Sequence, residues 1–166
     1  MESSVIFNEK LIELPDFLIG ESRRKRYVLD ASVVFKWYYK KNEADLHNAD
    51  ILYDFLNSKQ DLLFAPQLLI YEILNAFRLK EEIGSKTIES IISELYDTIF
   101  ILEADRAILK NVFLYARLLK ISVYDSVYIA LSEKLDASLI TADKKLYEAG
   151  KNLQYKVIML SDFLEK

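Results

Sequence analysis

The chain has 166 residues, 52% of them hydrophobic and 29% charged, which suits one folded domain with a sizeable core and excludes a disordered chain. It has no cysteine and a single histidine, which excludes disulfides, thiolate nucleophiles, cysteine zinc sites and histidine metal clusters. The net charge of −4 argues against a broadly basic nucleic-acid surface, although carboxylates gathered around divalent ions would offset it locally.

Residues 1–26 read as an N-terminal extension and 27–166 as the main domain. Val5-Ile6-Phe7 and Leu11-Ile12-Glu13-Leu14 are expected to pair as a hairpin, and Pro15 breaks what precedes it. Arg23-Arg24-Lys25-Arg26 is a basic run, and such a run is more often solvated surface than an RNA-contacting edge. No apolar stretch approaches the roughly 20 residues that cross a bilayer. The start also lacks a basic segment followed by an apolar one, so no signal peptide and a cytoplasmic location are expected.

Tyr27-Val28-Leu29-Asp30 predicts a strand and Ala31 to Tyr39 a short helix. From Glu43 to Lys59, Leu46, Ala49, Leu52, Tyr53 and Leu56 recur at helical spacing. His47 falls in this charged stretch, where a solvated surface histidine is the expected reading and a Ser–His–Asp triad the remote one. Leu62 to Ala65 predicts a strand, and Pro66 suits the first turn of a helix running to about Lys80. Gly84 stops that helix and Ser85 caps the next, which runs to about Tyr96. A strand at Thr98–Leu102 and a helix from Ala104 to Leu119 follow, then a helix from near Asp125 to Leu135. A strand at Ser138–Thr141, a short helix from Asp143 to Ala149 closed by Gly150, and a strand at Lys156–Leu160 complete the chain. Short apolar strands alternating with helices indicate an α/β sandwich around a parallel sheet.

Ligands of open α/β sheets bind outside the carboxyl ends of the strands. Asp30 ends the first strand of the main domain and Asp143 follows the Ser138–Thr141 strand by two residues, so both are expected at one edge. Asp125 heads a helix, and Glu72 interrupts the apolar run Leu69, Ile70, Ile73, Leu74, where an ionised acid is costly unless exposed or paired. Taken singly, Asp30 and Asp143 read as turns or caps, Asp125 as an N-cap and Glu72 as part of a narrow polar stripe. Taken together they form a candidate cluster, and clustered carboxylates repel one another unless cations lie among them. Hard oxygen ligands that leave room for water suit Mg²⁺ or Mn²⁺. Two such ions activate a water and stabilise the leaving oxygen in phosphodiester hydrolysis without any histidine or cysteine.

These segments resemble the PIN-domain nucleases, and especially the VapC-type toxins. The matching pieces are Val28-Leu29-Asp30-Ala31-Ser32-Val33, Ala65-Pro66 with Tyr71-Glu72-Ile73-Leu74-Asn75-Ala76, Tyr124-Asp125-Ser126-Val127-Tyr128-Ile129-Ala130-Leu131-Ser132-Glu133, and Leu139-Ile140-Thr141-Ala142-Asp143-Lys144-Lys145-Leu146. The pieces stand in family order, and the match covers about residues 27–163. The resemblance implies a three-layer sandwich with a central, mainly parallel sheet of about five strands flanked by helices. It implies Asp30, Glu72, Asp125 and Asp143 as catalytic metal ligands, with Ser32, Asn75 and Thr141 as supporting polar groups. It further implies cleavage of RNA with Mg²⁺ or Mn²⁺, a homodimer, and a small antitoxin partner when the member is a toxin. Lys36, Lys144 and Lys145 are placed to meet RNA phosphates. Two departures stand out: family toxins start near the first strand, without 26 preceding residues, and Ser126 replaces the usual alanine.

A phosphoaspartate receiver would need adjacent acids after the first strand, and a haloacid-dehalogenase-type phosphatase would need Asp-x-Asp. Ala31 and Ser32 follow Asp30, so neither fits. The remaining alternatives are an inert PIN-like module that binds RNA or protein, and an RNA-processing nuclease without an antitoxin.

Overall fold

A computed structural model describes residues 4–7, 10–14, 18, 20, 24–58, 61–153 and 156–165. Strands β1 (Ser4–Phe7) and β2 (Lys10–Glu13) pair antiparallel as the expected hairpin, with Ser4 opposite Glu13. The main sheet takes β3 (Arg26–Leu29), β4 (Leu62–Pro66), β5 (Phe100–Leu102), β6 (Ser138–Thr141) and β7 (Val157–Met159) in the order β5-β4-β3-β6-β7, and every pairing is parallel. The connecting helices are α1 (Ala31–Tyr38), α2 (Leu46–Ser58), α3 (Leu68–Phe77), α4 (Ser85–Thr98), α5 (Arg106–Leu119), α6 (Val123–Leu135) and α7 (Lys144–Gly150). A 3₁₀ segment, Leu160–Glu165, follows β7.

The pleat sorts the strand side chains into two cores. Tyr27, Leu29, Leu63, Ala65, Ile140 and Ile158 join residues of α1 to α4 in one apolar layer, with Leu160. Val28, Leu62, Phe64, Leu102 and Leu139 face the other way and join residues of α5, α6 and α7. Alternation of this kind on both faces makes the strands nearly continuous apolar runs, as in sheets covered on both sides. The three-layer α/β sandwich with five parallel strands is thus as expected.

The chain leaves β3 for β4 and β5 over the first layer, then returns beneath the sheet through α5 and α6 to β6. Running the opposite way on the opposite face preserves the right-handed crossover. The order therefore reverses between β3 and β6, and the strand ends at that switch point open a crevice.

Several local expectations need correction. Pro66 ends β4 instead of opening a helix, paired with Leu102. It lies beyond the β3 pairing, which ends at Phe64, and the next residue supplies the bond it cannot make: Gln67 N–H donates to the Leu102 carbonyl at 2.8 Å. Gly84, not Ser85, is the N-cap of α4. The N-cap of α6 is Ser122, whose hydroxyl accepts from the Asp125 N–H, so Asp125 lies inside the first turn. Gly150 is the last residue of α7 and does not lie beyond it. Its missing Cβ has a reason, since an added one would sit 2.7 Å from a Val157 methyl.

Within the basic run, Arg24 and Arg26 serve the sheet edge opposite the crevice. Arg26 donates to the carbonyls of Leu18 and Leu135 at 2.8 and 3.0 Å, and Arg24 to that of Asp61 at 3.1 Å. Leu14 is buried in the second apolar layer. His47 is exposed, as expected. No helix among the described residues is long and apolar enough to cross a membrane.

Candidate active site

Asp30 continues β3, its N–H donating to the Ile140 carbonyl of β6 at 3.0 Å, so the neighbouring strand fixes its backbone. Its side chain is 7% exposed. Two hydroxyls donate to Oδ2, Ser32 at 2.5 Å and Thr141 at 2.7 Å. Each hydroxyl in turn accepts from a backbone N–H, Ser32 from Ala142 at 3.0 Å and Thr141 from Asp143 at 2.9 Å. The two relays fix both hydroxyl protons toward Asp30 and tie the end of β6 to the start of α1. The Ala31 N–H adds a backbone bond to the carboxyl, and among the described residues no further side chain donates to it.

Burial pushes the Asp30 carboxyl above its ordinary range, the Ser32 and Thr141 bonds pull it back, and the negative field of Asp143 raises it again. Asp143 is the N-cap of α7, with Oδ1 accepting from the N–H groups of Lys145 at 2.6 Å and Leu146 at 3.0 Å. Its capping reading holds, and it is exposed at the crevice rim.

Glu72 reaches the same crevice from α3. Burial raises its carboxyl, the hydroxyl of Tyr128 donates to Oε2 and lowers it, and the charges of Asp30 and Asp125 raise it further. Tyr128 is 1% exposed and held well above the ordinary phenol range by burial, then by Asp30 and Glu72, so it keeps its proton as a donor. Sequence reasoning missed this residue. The available signal was its place one turn after Asp125 on an apolar helix face, because a buried tyrosine hydroxyl needs a partner.

The four acids therefore arrive from β3, α3, α6 and the β6–α7 turn, and act on one another electrostatically: Asp30 with Asp143, and Glu72 with Asp30 and Asp125. Among the described residues, no three acidic or histidine side chains close on a single ion by themselves. The donor set still fits a hard cation, because Mg²⁺ commonly takes one or two carboxylates and completes its shell with water. The mutual repulsion of these carboxylates also leaves a place for positive charge.

A cleft of about 430 Å³ runs beside these groups, lined by Ser32, Lys36, Glu43, Glu72, Ala142 and Asp143 among others. Lys36 lies in its wall, buried, and paired with Glu43 at 2.5 Å. Lys144 and Lys145 are exposed next to Asp143. Asn75 is exposed and accepts from the Arg78 guanidinium at 2.7 Å, so its side chain is engaged along α3. Ser126 is fully buried and donates to the Ser122 carbonyl at 2.7 Å, satisfying its hydroxyl within its own helix turn.

The PIN domain family model matches residues 27–152. No curated protein matches the chain. Among solved structures, PAE2754 of Pyrobaculum aerophilum superposes with a TM-score of 0.60 at 22% identity, covering 85% of this chain and 93% of that one. A toxin–antitoxin complex from Klebsiella pneumoniae superposes at 0.59 with 13% identity, covering 81% and 97%. VapBC2 of Rickettsia felis, bound to a DNA fragment from its promoter, superposes at 0.61 with 11% identity, covering 81% and 98%. At these identities the superpositions speak to the fold.

Proposed function

Because the chain belongs to the PIN-domain family, we propose that it is a divalent-metal-dependent endoribonuclease whose Mg²⁺ or Mn²⁺ is held by Asp30, Glu72, Asp125 and Asp143. The observation that carries this reading is geometric: Glu72 and Asp143 line one cleft with Ser32, whose hydroxyl donates to Asp30, and the charges of Asp30 and Asp125 are felt at Glu72. When bound, the ions supply an activated water and stabilise the leaving 3′ oxygen and the charge on phosphorus.

The chain's own groups prepare that chemistry. Ser32 and Thr141 both donate to Oδ2 of Asp30 and hold its carboxylate in place. Tyr128 holds one oxygen of Glu72 and leaves the other. Asp143 accepts the α7 cap bonds with Oδ1. Lys144 and Lys145 stand at the rim to meet the RNA backbone. The expected result is endonucleolytic cutting of RNA by the purified chain with Mg²⁺ or Mn²⁺, stopped by EDTA. Cutting that ignores EDTA would reject the proposal, and no cutting with either metal would favour an inert RNA- or protein-binding module.

The likeness to toxin–antitoxin complexes supports a toxin role, with a small antitoxin protein as partner. The alternative is an RNA-processing nuclease without one. A homodimer is the proposed assembly. Leu109, Phe113, Leu114 and Leu118 are each more than half exposed on the outer side of α5, an apolar stripe of the kind that marks association surfaces. Two copies related by a two-fold axis would bury the same stripe against itself. The Phe113→Asp/Leu118→Asp double variant should shift the mass measured by light scattering from dimer to monomer. A wild-type chain that is already monomeric would overturn the assembly.

A further inference from the structure

Lys36 is the only buried cation among the described residues, with its side chain 8% exposed. Among the described residues its one side-chain partner is Glu43 at 2.5 Å, which leaves two of the three ammonium N–H groups without an acceptor there. The pair lines the same cleft as Glu72, Asp143 and Ser32.

Stability does not account for this arrangement. A buried ion pair roughly breaks even against well-packed apolar side chains, so it is weak evidence of a stabilising role. The loop that delivers Glu43 is, in contrast, elaborately held. Asn42 and Asp45, on either side of it, both adopt left-handed backbone (φ 61° and 56°), a conformation that among non-glycine residues Asn and Asp tolerate best. Lys40 ties the loop to Asp50 at 2.6 Å, and the Asp45 carbonyl accepts the Ala49 N–H of α2 at 3.0 Å. A strained loop pinned at both ends places one carboxylate on one lysine.

Charge explains why the lysine needs holding. The cleft carries the carboxylates of Glu72 and Asp143, and an unrestrained ammonium would settle on them, where metal ligands are wanted. Held by Glu43, it instead offers two protons to an anion entering the cleft. We infer that Glu43 is a positioning residue that holds the Lys36 ammonium as the contact for a single backbone phosphate of bound RNA. This rests on the nuclease reading of the cleft.

The test separates the two. Binding of a fluorescein-labelled single-stranded oligoribonucleotide is followed by anisotropy in EDTA, where no cutting occurs, over a range of KCl. Lys36→Met is expected to weaken binding roughly three- to tenfold and to flatten the log Kd against log salt slope by about 0.7, the value for one phosphate contact on a single strand. The double variant Lys36→Met/Glu43→Leu, which leaves no unpaired buried charge, should show the same slope and guards against misfolding. Glu43→Gln should lower kcat roughly tenfold with KM changed less than twofold, and Glu43→Asp should recover part of it. A slope unchanged in both lysine variants overturns the inference, as does a wild-type chain that binds no RNA. So does Glu43→Gln binding RNA more tightly at full kcat, the result for a carboxylate that only repels phosphate. Failure of the nuclease reading is seen elsewhere, in cutting that ignores EDTA.

Discussion

Asp30→Asn is expected to abolish RNA cleavage, by roughly a thousandfold or more given what charged groups at reacting centres contribute, while the protein stays folded. The side chain is isosteric, and because both hydroxyls donate to the same carboxylate oxygen, an amide oxygen in its place can accept from both. It cannot supply the negative charge that a divalent ion requires. The buried position has a second consequence. Burial disfavours the ionised acid, so removing its charge should leave the metal-free fold as stable as before or more so. Loss of activity with an equal or higher Tm is therefore the signature, and Asp125→Asn should show the same loss. Growth arrest on expression, if the chain acts as a toxin, should vanish with the same substitutions. Gel-based cleavage alongside differential scanning calorimetry checks both halves. Residual cutting in either variant at wild-type rate would remove these acids from the chemistry.

Stability should also depend on pH and metal together. Asp30 and Glu72 both have folded-state carboxyls raised above their unfolded values, chiefly by burial. The contribution of a raised acid is fully present below its unfolded pKa, near 4, and is lost as pH rises through the folded value. The metal-free protein should therefore lose stability from about pH 4 upward. A divalent ion binds the ionised acids and reverses that loss, so its effect should be larger at pH 8 than at pH 5. At a hundred times Kd it adds about 2.7 kcal/mol, which is roughly 5–10 °C in Tm for a chain of this size. Asp30→Asn should remove most of this increment. Thermal melts with EDTA and with Mn²⁺ at the two pH values measure it, and an equal increment at both would contradict the coupling.

Much of this was legible because it follows from periodicity. Strand β6 was read at its true limits, since Ser138-Leu-Ile-Thr is a short apolar run bounded by polar residues. Asp30 and Asp143 were placed at one edge by the rule for strand ends, and the structure puts both at the ends of neighbouring strands β3 and β6. Glu72 stood out because a carboxyl in an apolar run needs a reason. What stayed hidden depends on contacts distant in sequence or on competing turns. Pro66 suits a helix start and a strand end equally, and only the Gln67–Leu102 bond decides between them. Ser122 outcompetes Asp125 as a cap because it lies one residue before the helix, a boundary that periodicity blurs. Lys36 looks like a surface cation in a list of residues, yet α1 turns it inward, and Glu43 meets it only because of left-handed residues that leave no mark in hydropathy.

The bond from the Asp30 N–H to Ile140 has a wider meaning. The acid at the heart of the crevice is mounted on the two innermost strands, so its placement is as hard to deform as the middle of the sheet. The loop that carries Glu43 is surface backbone and can be rebuilt without disturbing that mount. On the nuclease reading, changes in that loop would act through the Lys36 ammonium and leave the mount of Asp30 as it is, so the two can be altered separately.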